Sequence, residues 1–216
     1  MSAGLIAFDG FEVPVSATSL HGFRAWASSL EQGGPRVSFW AGRVFVEMSP
    51  QSYRSHGPVV AAINRTLGNL TAQRDLGMFF TPPSWFTHEP SGLSTEPDGF
   101  LVCWRSFAGH EALVNPARET EMLGRPDLAL EVVSKSSERK DLVDNVRAYA
   151  AAGVSEYWIA DARGELVFRI LTLEGGAYVD QVAEDGWLES PLLGQRFRLI
   201  GFTNRAGLPD FRLEVA

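Results

Sequence analysis

The sequence predicts one α/β domain spanning residues 1–216, in which a mixed β-sheet is flanked by helices and preceded by an N-terminal helix and hairpin. Short apolar runs bounded by glycine and proline are typical of strands, and three segments repeat apolar residues at helical spacing. Neither an internal repeat nor a low-complexity linker divides the chain. A single domain of this length can bury a large apolar core.

Composition narrows the class of protein. The chain is 45% hydrophobic and 21% charged, as soluble globular proteins are, and its net charge is −7. That charge argues against a surface that coats nucleic acid broadly, but it leaves room for a local basic groove or for an acidic site that holds cations. Cys103 is the single cysteine, which excludes a disulfide within the chain and suits a reducing compartment. Because neither a leader nor an apolar run of about 18 residues is present, we expect a cytoplasmic protein without a membrane span.

The chain begins with a predicted arm and a helix. Residues 1–15 are apolar with glycine and proline, and the arm ends at residue 17. Thr18 is placed to cap the helix, which Gly33-Gly34-Pro35 is placed to end. The apolar face of this helix is predicted to consist of Leu20, Phe23, Ala27 and Leu30.

A hairpin and a second helix follow. Residues 37–48 alternate as two strands that turn at Ala41-Gly42. Ser55 is placed to open the second helix. Its repeating face contains His56, Val60, Ile63, Leu67 and Leu70.

The rest of the chain is predicted to be mostly strands around one further helix. Strands are expected near 77–87, 98–104 and 127–133, and a loop over about 106–125. The helix begins at Ser136 or Ser137, buries Leu142, Val146 and Tyr149, and ends at Gly153 after Ala152. Later strands are predicted at 157–160, 165–173 and 177–179, with one or two more within 187–200.

One acidic residue stands out within a run that otherwise reads as a buried strand. Glu131 lies in the middle of Leu128-Ala-Leu-Glu-Val-Val133, and side-chain alternation puts it on the same face as Asp127 and Ala129. Burying a lone carboxylate costs several kcal/mol unless it gains a partner charge, hydrogen bonds or a metal ion. An acid at this position therefore requires a specific partner.

A second acid is predicted to lie beside it. Asp98 begins a neighbouring apolar strand directly after Pro97. Two carboxylates from adjacent strands are suitable ligands for a hard divalent cation such as Mg²⁺, which can polarise a phosphodiester and lower the pKa of a bound water. The alternative is that Asp98 caps a turn and that Glu131 is an internally hydrogen-bonded acid. The spacing alone leaves both interpretations open.

Other kinds of site have less support. The four histidines show no zinc-ligand spacing, and the chain has no glycine-rich phosphate loop and no nucleophile elbow. His56 at a helix start is interpreted as a cap or packing residue, with contact to a phosphate as the alternative. Arg139 and Arg147 are interpreted as part of a solvated helix face.

The ordered motifs together resemble a known family. They are Pro97-Asp98, Pro126-Asp-Leu-x-x-Glu131-Val-x-Ser134, Asp141-x7-Tyr149 and Gly153-Val-x-Glu-Tyr-Trp158-Ile-x-Asp161. This set is similar to the Uma2 family of restriction endonucleases, within the PD-(D/E)XK nuclease superfamily. Gly42-Arg-Val, Met48-Ser-Pro50 and His56 also fall where that family has a strand turn, a Met-Ser-Pro and a histidine, so the resemblance covers about residues 18–200.

The resemblance implies a fold and an activity. It implies a restriction-endonuclease-like core, dependence on Mg²⁺ or Mn²⁺, and hydrolysis of DNA phosphodiester bonds. Matched residue by residue, it assigns Asp98 as the first acid and Glu131 as the second, both as metal ligands. Many nucleases of this fold cut as dimers, and a homodimer through the arm at residues 1–15 is one interpretation.

Two positions depart from the family pattern. The family usually has a glutamate where this chain has Ser38, and a lysine where it has Asn145. Asparagine donates a hydrogen bond without a charge, and losing one such group commonly costs about 10²–10³ in rate. Lys135, four residues after Glu131, is predicted to supply the missing ammonium as a catalytic residue, and Lys140 is the weaker candidate. The alternative for Lys135 is a solvated loop lysine.

Two functions therefore remain in competition. The first is an active or weakly active metal-dependent endonuclease that uses Asp98, Glu131 and Lys135. The second is a catalytically degenerate member that keeps the fold and acts as a nucleic-acid-binding or interaction module. The retained acids favour the first function, whereas Ser38 and Asn145 favour the second. The sequence does not distinguish DNA from RNA.

Overall fold

The computed structural model describes residues 5–8, 11–30, 34–47 and 52–216, the first range for its backbone only. Its helices are α1 (Leu20–Ala27), α2 (His56–Gln73), α3 (Trp104–Ala108) and α4 (Asn145–Ala152), and a π-helical turn, Lys140–Asp144, leads directly into α4. The strands are β1 (Leu5–Phe8), β2 (Phe11–Pro14), β3 (Arg36–Trp40), β4 (Arg43–Glu47), β5 (Gly77–Phe80), β6 (Trp85–His88), β7 (Leu93–Thr95), β8 (Gly99–Cys103), β9 (Ala112–Val114), β10 (Glu121–Gly124), β11 (Leu128–Val132), β12 (Glu156–Asp161), β13 (Val167–Glu174), β14 (Ala177–Asp180), β15 (Leu188–Ser190), β16 (Gln195–Thr203) and β17 (Pro209–Val215).

The described strands form two six-stranded mixed sheets and two smaller antiparallel ones. The first large sheet has the order β4-β3-β7-β6-β10-β9, and the second has the order β14-β13-β12-β11-β8-β5. Each contains one parallel pair, β6 with β10 and β11 with β12. The predicted α/β class is confirmed. The prediction of one sheet is wrong, because the chain divides its strands between two large sheets.

Strand β11 lies near the middle of the second large sheet, between β12 and β8, and all five of its residues are buried. Leu128, Leu130 and Val132 face a core that they share with α2 and with β16–β17. Ala129 and Val133 face a second core formed with α4 and with Phe86 of the first large sheet. The alternation predicted for 127–133 is therefore confirmed, and it points Glu131 toward α4.

The helical segment after β11 packs as the sequence predicts. Tyr149 is fully buried, and Leu142 and Val146 pack around the same core. Gly153 ends the helix in a left-handed conformation (φ 77°), which glycine adopts without steric cost. The segment differs from the predicted α-helix because Lys140–Asp144 is π-helical, so its backbone hydrogen bonds join residues five apart instead of four.

The N-terminal region differs from the prediction in two details. Residues of the expected arm form a hairpin in which β1 pairs with β2. The cap of α1 is Ser19, whose Oγ accepts the Gly22 N–H at 3.1 Å, while Thr18 Oγ1 donates to the Val15 carbonyl oxygen of a preceding 3₁₀ turn. Helix α1 ends at Ala27, and Gly33 and Met48-Ser-Pro50 lie outside the described residues. A homodimer through this arm stays a prediction.

The segment 106–125 is not the loop that its glycine and proline content predicts. It holds most of α3 and the whole of β9 and β10, which complete the first large sheet. The strands are only three and four residues long, and β10 gains its order by pairing with β6, far away in the sequence. Tertiary pairing of this kind overrides local composition.

The C-terminal strands β15–β17 form a three-stranded sheet that covers α2. The sequence predicts one or two strands over 187–200, and β17 lies beyond that range. Within the part of the chain that the structure describes, no helix is both long and apolar enough to cross a bilayer.

Candidate functional site

Asp98 and Glu131 occupy facing positions on adjacent strands. β8 and β11 are antiparallel, and their register pairs Gly99 with Leu130. Extending that register by one residue sets Asp98 opposite Glu131, and directly opposed residues of an antiparallel pair share a face. Both side chains are buried, at 1% and 2% exposure. The predicted arrangement of two carboxylates from neighbouring strands on one side of the sheet is thus present.

Asp98 is held from several directions. Its Oδ1 accepts from Arg36 Nη1 at 2.7 Å, and its Oδ2 accepts the Val132 N–H at 2.8 Å. His56 Nε2 lies 3.3 Å from the same Oδ2. Burial alone would raise the pKa of Asp98, but Arg36, His56 and the Val132 N–H outweigh it and hold that pKa well below its ordinary value. Asp98 is therefore ionised at neutral pH.

Helix α2 fixes the backbone at this position. Asn64 Nδ2 donates to the Asp98 carbonyl oxygen at 2.8 Å. A Cβ at Gly99 would lie 2.7 Å from Asn64 Oδ1, so glycine at residue 99 leaves room for the Asn64 side chain in this position. This contact positions the start of β8, and Asp98 with it.

The other end of the same strand pair carries a matching arrangement. Asp127 precedes β11 as Asp98 precedes β8, and its Oδ2 accepts the Cys103 N–H at 2.8 Å. Asp127 Oδ1 accepts the Ser106 hydroxyl at 2.9 Å. Each Pro-Asp sequence therefore places a carboxylate on the last N–H of the opposite strand. The two ends differ in the facing residue, which by the same register is Glu131 for Asp98 and Val102 for Asp127.

Glu131 has hydrogen-bonding partners from the helical segment. Its Oε1 accepts from the Tyr149 hydroxyl at 2.6 Å and from Asn145 Nδ2 at 3.1 Å. Lys140 Nζ lies 3.7 Å from that oxygen. Burial raises the pKa of Glu131, and the neighbouring carboxylates add to the rise, so the pKa lies well above its ordinary value despite Lys140.

Lys140 is buried among three carboxylates. Its Nζ lies 2.9 Å from Glu47 Oε1 and 3.0 Å from Asp141 Oδ1, in addition to its approach to Glu131. Burial by itself lowers the pKa of Lys140, but the three carboxylates outweigh it and raise that pKa well above its ordinary value. Lys140 is thus a permanent cation inside the acidic cluster.

The π-helical turn accounts for the place of this lysine. The Asn145 N–H donates to the Lys140 carbonyl oxygen, so residues 140 and 145 are separated by one turn of i to i+5 bonding. The Asn145 side chain lies between the same acids, 3.1 Å from Glu131 and 3.3 Å from Asp141. Position 145 therefore faces the cluster as the family pattern implies, and Lys140 reaches it from one turn earlier.

The structure does not bring Lys135 to this cluster. Its side chain is exposed and makes no ion pair with any described carboxylate, whereas Lys140, the weaker candidate from the sequence, contacts Glu131. Helical spacing of 3.6 residues gave no reason to favour residue 140, and the π turn supplies one. A catalytic role for Lys135 stays a prediction without geometric support.

Glu47 and Arg36 belong to the site and were missed in the sequence. Arg36 faces Glu47 across the β3–β4 hairpin, two residues before Ser38 on the same strand face. A carboxylate thus enters the cluster from the hairpin although residue 38 is serine. The sequence could have indicated this pair, because the predicted turn at Ala41-Gly42 already sets Arg36 opposite Glu47.

The cluster contains more acidic than basic side chains. Among the described residues, Glu47, Asp98, Glu131 and Asp141 surround two cationic side chains, Arg36 and Lys140. Burial and this crowding raise the pKa of Asp141 to about 6. Carboxylate oxygens are the ligands that Mg²⁺ prefers, so the donors of this cluster fit that ion in kind, and a divalent cation would favour their ionised forms.

The number of donors also fits such an ion. No three His, Cys, Asp or Glu side chains of the described residues are grouped to hold a metal. Mg²⁺ is commonly held by one or two carboxylates, with water and substrate phosphate completing its coordination. Asp98 and Glu131 suit that mode, because among the described residues Asp98 Oδ1 accepts one hydrogen bond, from Arg36, and the hydrogen bonds to Glu131 are made at Oε1, which leaves Oε2 for an ion.

Comparison with known proteins gives a family and a fold. A family model described as "Uma2: Putative restriction endonuclease" matches residues 21–199. A crystal structure from Anabaena variabilis, described as "a putative nuclease belonging to DUF820", matches with a TM-score of 0.61 and 14% identity, over 82% of this chain and 90% of that one. Comparison with curated proteins gives no match. The resemblance drawn from the motifs and the predicted fold are both confirmed.

Proposed function

Because this chain belongs to the Uma2 family, we propose that it is a metal-dependent endonuclease that hydrolyses DNA phosphodiester bonds at Asp98 and Glu131. One observation carries the proposal. Asp98 and Glu131 lie buried on one face of adjacent strands, in a cluster where described carboxylates outnumber cations. Burying such acids is unfavourable without a compensating charge, so their position calls for a functional reason. The Anabaena variabilis protein of similar fold is also described as "a putative nuclease", which agrees with the proposed type of reaction.

Asp98 and Glu131 would hold the ion, and their surroundings prepare them for it. Arg36 and the Val132 N–H keep Asp98 ionised and fixed in place. Tyr149 and Asn145 direct Glu131 through bonds to Oε1. A bound Mg²⁺ would supply polarisation of the phosphodiester and a lowered pKa for its water. The protein supplies the preorganised ligands.

Lys140 is the residue that we assign to charge stabilisation. A family lysine is missing at Asn145, and the Lys140 ammonium lies beside the same acids. Its raised pKa keeps it protonated, which suits stabilisation of negative charge on a phosphate and does not suit proton abstraction. Lys140 therefore takes the role predicted for Lys135.

Plasmid nicking tests this function. Wild type, Asp98→Asn, Glu131→Gln and Asp127→Asn are incubated with supercoiled DNA in Mg²⁺, in Mn²⁺ and in EDTA. We expect nicking by wild type and Asp127→Asn with either ion, and none in EDTA. Asp98→Asn and Glu131→Gln should lose it. Asp127→Asn is the matched control because it alters the equivalent contact at the other end of the strand pair. Equal nicking by all four proteins would reject the assignment.

A second function is favoured by the ion pairs already present. Arg36 engages Asp98, and Lys140 lies among the remaining acids, so the cluster is partly neutralised by the protein's own side chains. A nucleic-acid-binding or interaction module without cleavage would have this property. Calorimetric titration with Mn²⁺ separates the two. A wild-type protein that neither binds Mn²⁺ nor nicks DNA would support the binding module, because its own cations would then take the place of the metal ion.

A further inference from the structure

A groove of about 240 Å³ leads from the protein surface to the acidic cluster. It is lined by Lys140 and Glu47 of the cluster and by Arg43, Arg139, Phe45 and Ser136. Lys140 is 6% exposed, whereas the side chains of Arg43 and Arg139 are 57% and 80% exposed. The groove thus connects a cationic rim to the buried site.

One buried carboxylate positions both rim arginines. Asp144, whose side chain is 8% exposed, lies with Oδ1 at 3.4 Å from Arg43 Nη1 and with Oδ2 at 3.8 Å from Arg139 Nε. Arg43 also lies over the Phe45 ring, with its guanidinium carbon 5.1 Å from the ring centroid. Each guanidinium has five N–H donors, so most remain available to a ligand.

We propose that Arg43 and Arg139 form a clamp for the backbone phosphates of DNA that flank the bond held at the acidic cluster. Paired guanidinium N–H groups match the geometry of phosphate oxygens. The protein carries a net charge of −7, so a polyanion is repelled by most of the surface and is attracted where arginines are concentrated. The inference rests on the proposed function for the identity of the ligand, and it concerns binding and not cleavage.

The chain offers a closely matched control for this clamp. Arg105 is 67% exposed and lies 3.5 Å from buried Asp127, a geometry like that of Arg43 with Asp144. It follows the far end of β8 from Asp98. Replacing Arg105 therefore removes the same charge and the same kind of ion pair away from the groove.

Salt dependence of binding gives a quantitative test. Binding of a short fluorescein-labelled DNA duplex is measured by fluorescence anisotropy in EDTA at several KCl concentrations. Each phosphate neutralised by the protein contributes about −0.9 to the slope of log K against log[salt]. The double variant Arg43→Gln/Arg139→Gln should bind more weakly, and its slope should be shallower by about 2 than that of wild type. Arg105→Gln should keep the wild-type slope.

A further variant is expected to change the affinity for DNA in the opposite direction. Asp144→Asn removes the negative charge beneath both arginines, so it should tighten duplex binding. A wild-type slope in the double variant, or an equal loss in Arg105→Gln, would overturn the clamp, provided circular dichroism shows folded proteins. Binding that depends on the arginines in a protein that never nicks DNA would leave the clamp standing and reject the proposed endonuclease. DNA nicking by wild type, together with a wild-type slope in the double variant, would support the proposed endonuclease and reject the clamp.

Discussion

Lys140 and Asn145 stack one π-helical turn apart, joined by the bond from the Asn145 N–H to the Lys140 carbonyl oxygen, and both side chains contact the acidic cluster. This relationship makes the two positions exchangeable. Lys140→Asn should lower nicking about 10²–10³-fold, because the one ammonium beside Glu131 among the described residues is removed. The exchange variant Lys140→Asn/Asn145→Lys should recover part of the rate.

The exchange variant also controls for folding. Lys140→Asn leaves Glu47, Glu131 and Asp141 without the ammonium that they surround, and losing one partner of a buried ion pair typically destabilises a protein by about 3–5 kcal/mol. The exchange returns a cation to the cluster. Urea unfolding of each variant separates this loss from the loss of rate. Lys135→Ala should nick DNA at the wild-type rate. A severe loss in Lys135→Ala would restore the prediction made from the sequence.

Glu131 is expected to lower the stability of the metal-free protein. Its pKa is raised by burial, so the charged form is disfavoured in the fold. Glu131→Gln keeps an acceptor for Tyr149 and removes the charge, and we expect the free energy of unfolding to rise by about 1 kcal/mol while nicking is lost. Thermal melting in EDTA and in Mn²⁺ checks both parts. Mn²⁺ should raise the Tm of wild type and leave that of the variant unchanged. A variant less stable than wild type in EDTA would contradict this account.

Asp141 makes stability depend on pH. Its pKa is about 6 in the fold, against an ordinary value of 3.8. Between these values the folded protein binds a proton that the unfolded chain does not, so this group's contribution is fully present below 3.8 and is lost as pH rises through about 6. Relative to Asp141→Asn, wild type should therefore lose stability between about pH 5 and about pH 8. Urea unfolding of both proteins at the two pH values measures the difference. A constant difference would show that Asp141 titrates normally.

A partly buried ion pair ties α1 to the first large sheet. Arg24 donates to both oxygens of Glu121, at 2.8 and 3.0 Å, and Thr87 and Asn115 complete the bonding of that carboxylate. Arg24→Met should cost about 2–3 kcal/mol, because Glu121 is then left buried without its counter-charge and keeps only the hydrogen bonds from Thr87 and Asn115. Arg24→Met/Glu121→Gln should recover part of the loss. The exposed pair of Arg169 and Asp180 is the control, and Arg169→Met should cost at most about 1 kcal/mol by urea unfolding. Similar costs for both arginines would reject the distinction.

The two acids could be predicted from the sequence because their signals are local. Glu131 interrupts an apolar strand, and Asp98 follows a proline at the start of another. Strand alternation then fixes the face of each side chain, and the antiparallel register brings them together. The helix from Lys140 to Ala152 and its stop at Gly153 follow from the same kind of local pattern.

Lys140, Arg36 and Glu47 could not be assigned to the site from local sequence patterns. Lys140 reaches the cluster because the helix begins with a π turn, and no local pattern predicts that turn. Arg36 and Glu47 enter from the first large sheet, whose contact with the second depends on tertiary packing. Segment 106–125 was missed for a related reason, since β10 is ordered by its partner β6 and not by its own composition.

In a relative with no catalytic function, Asp98 and Glu131 would be under different constraints. The Asp98 carboxylate joins two strands and has a lowered pKa, so the fold itself benefits from keeping it. Glu131 has a raised pKa, and the metal-free fold would be better served by glutamine. Relatives that are not selected for cleavage would therefore keep the aspartate at position 98 and replace the glutamate at position 131. The informative position for separating working relatives from silent ones is residue 131.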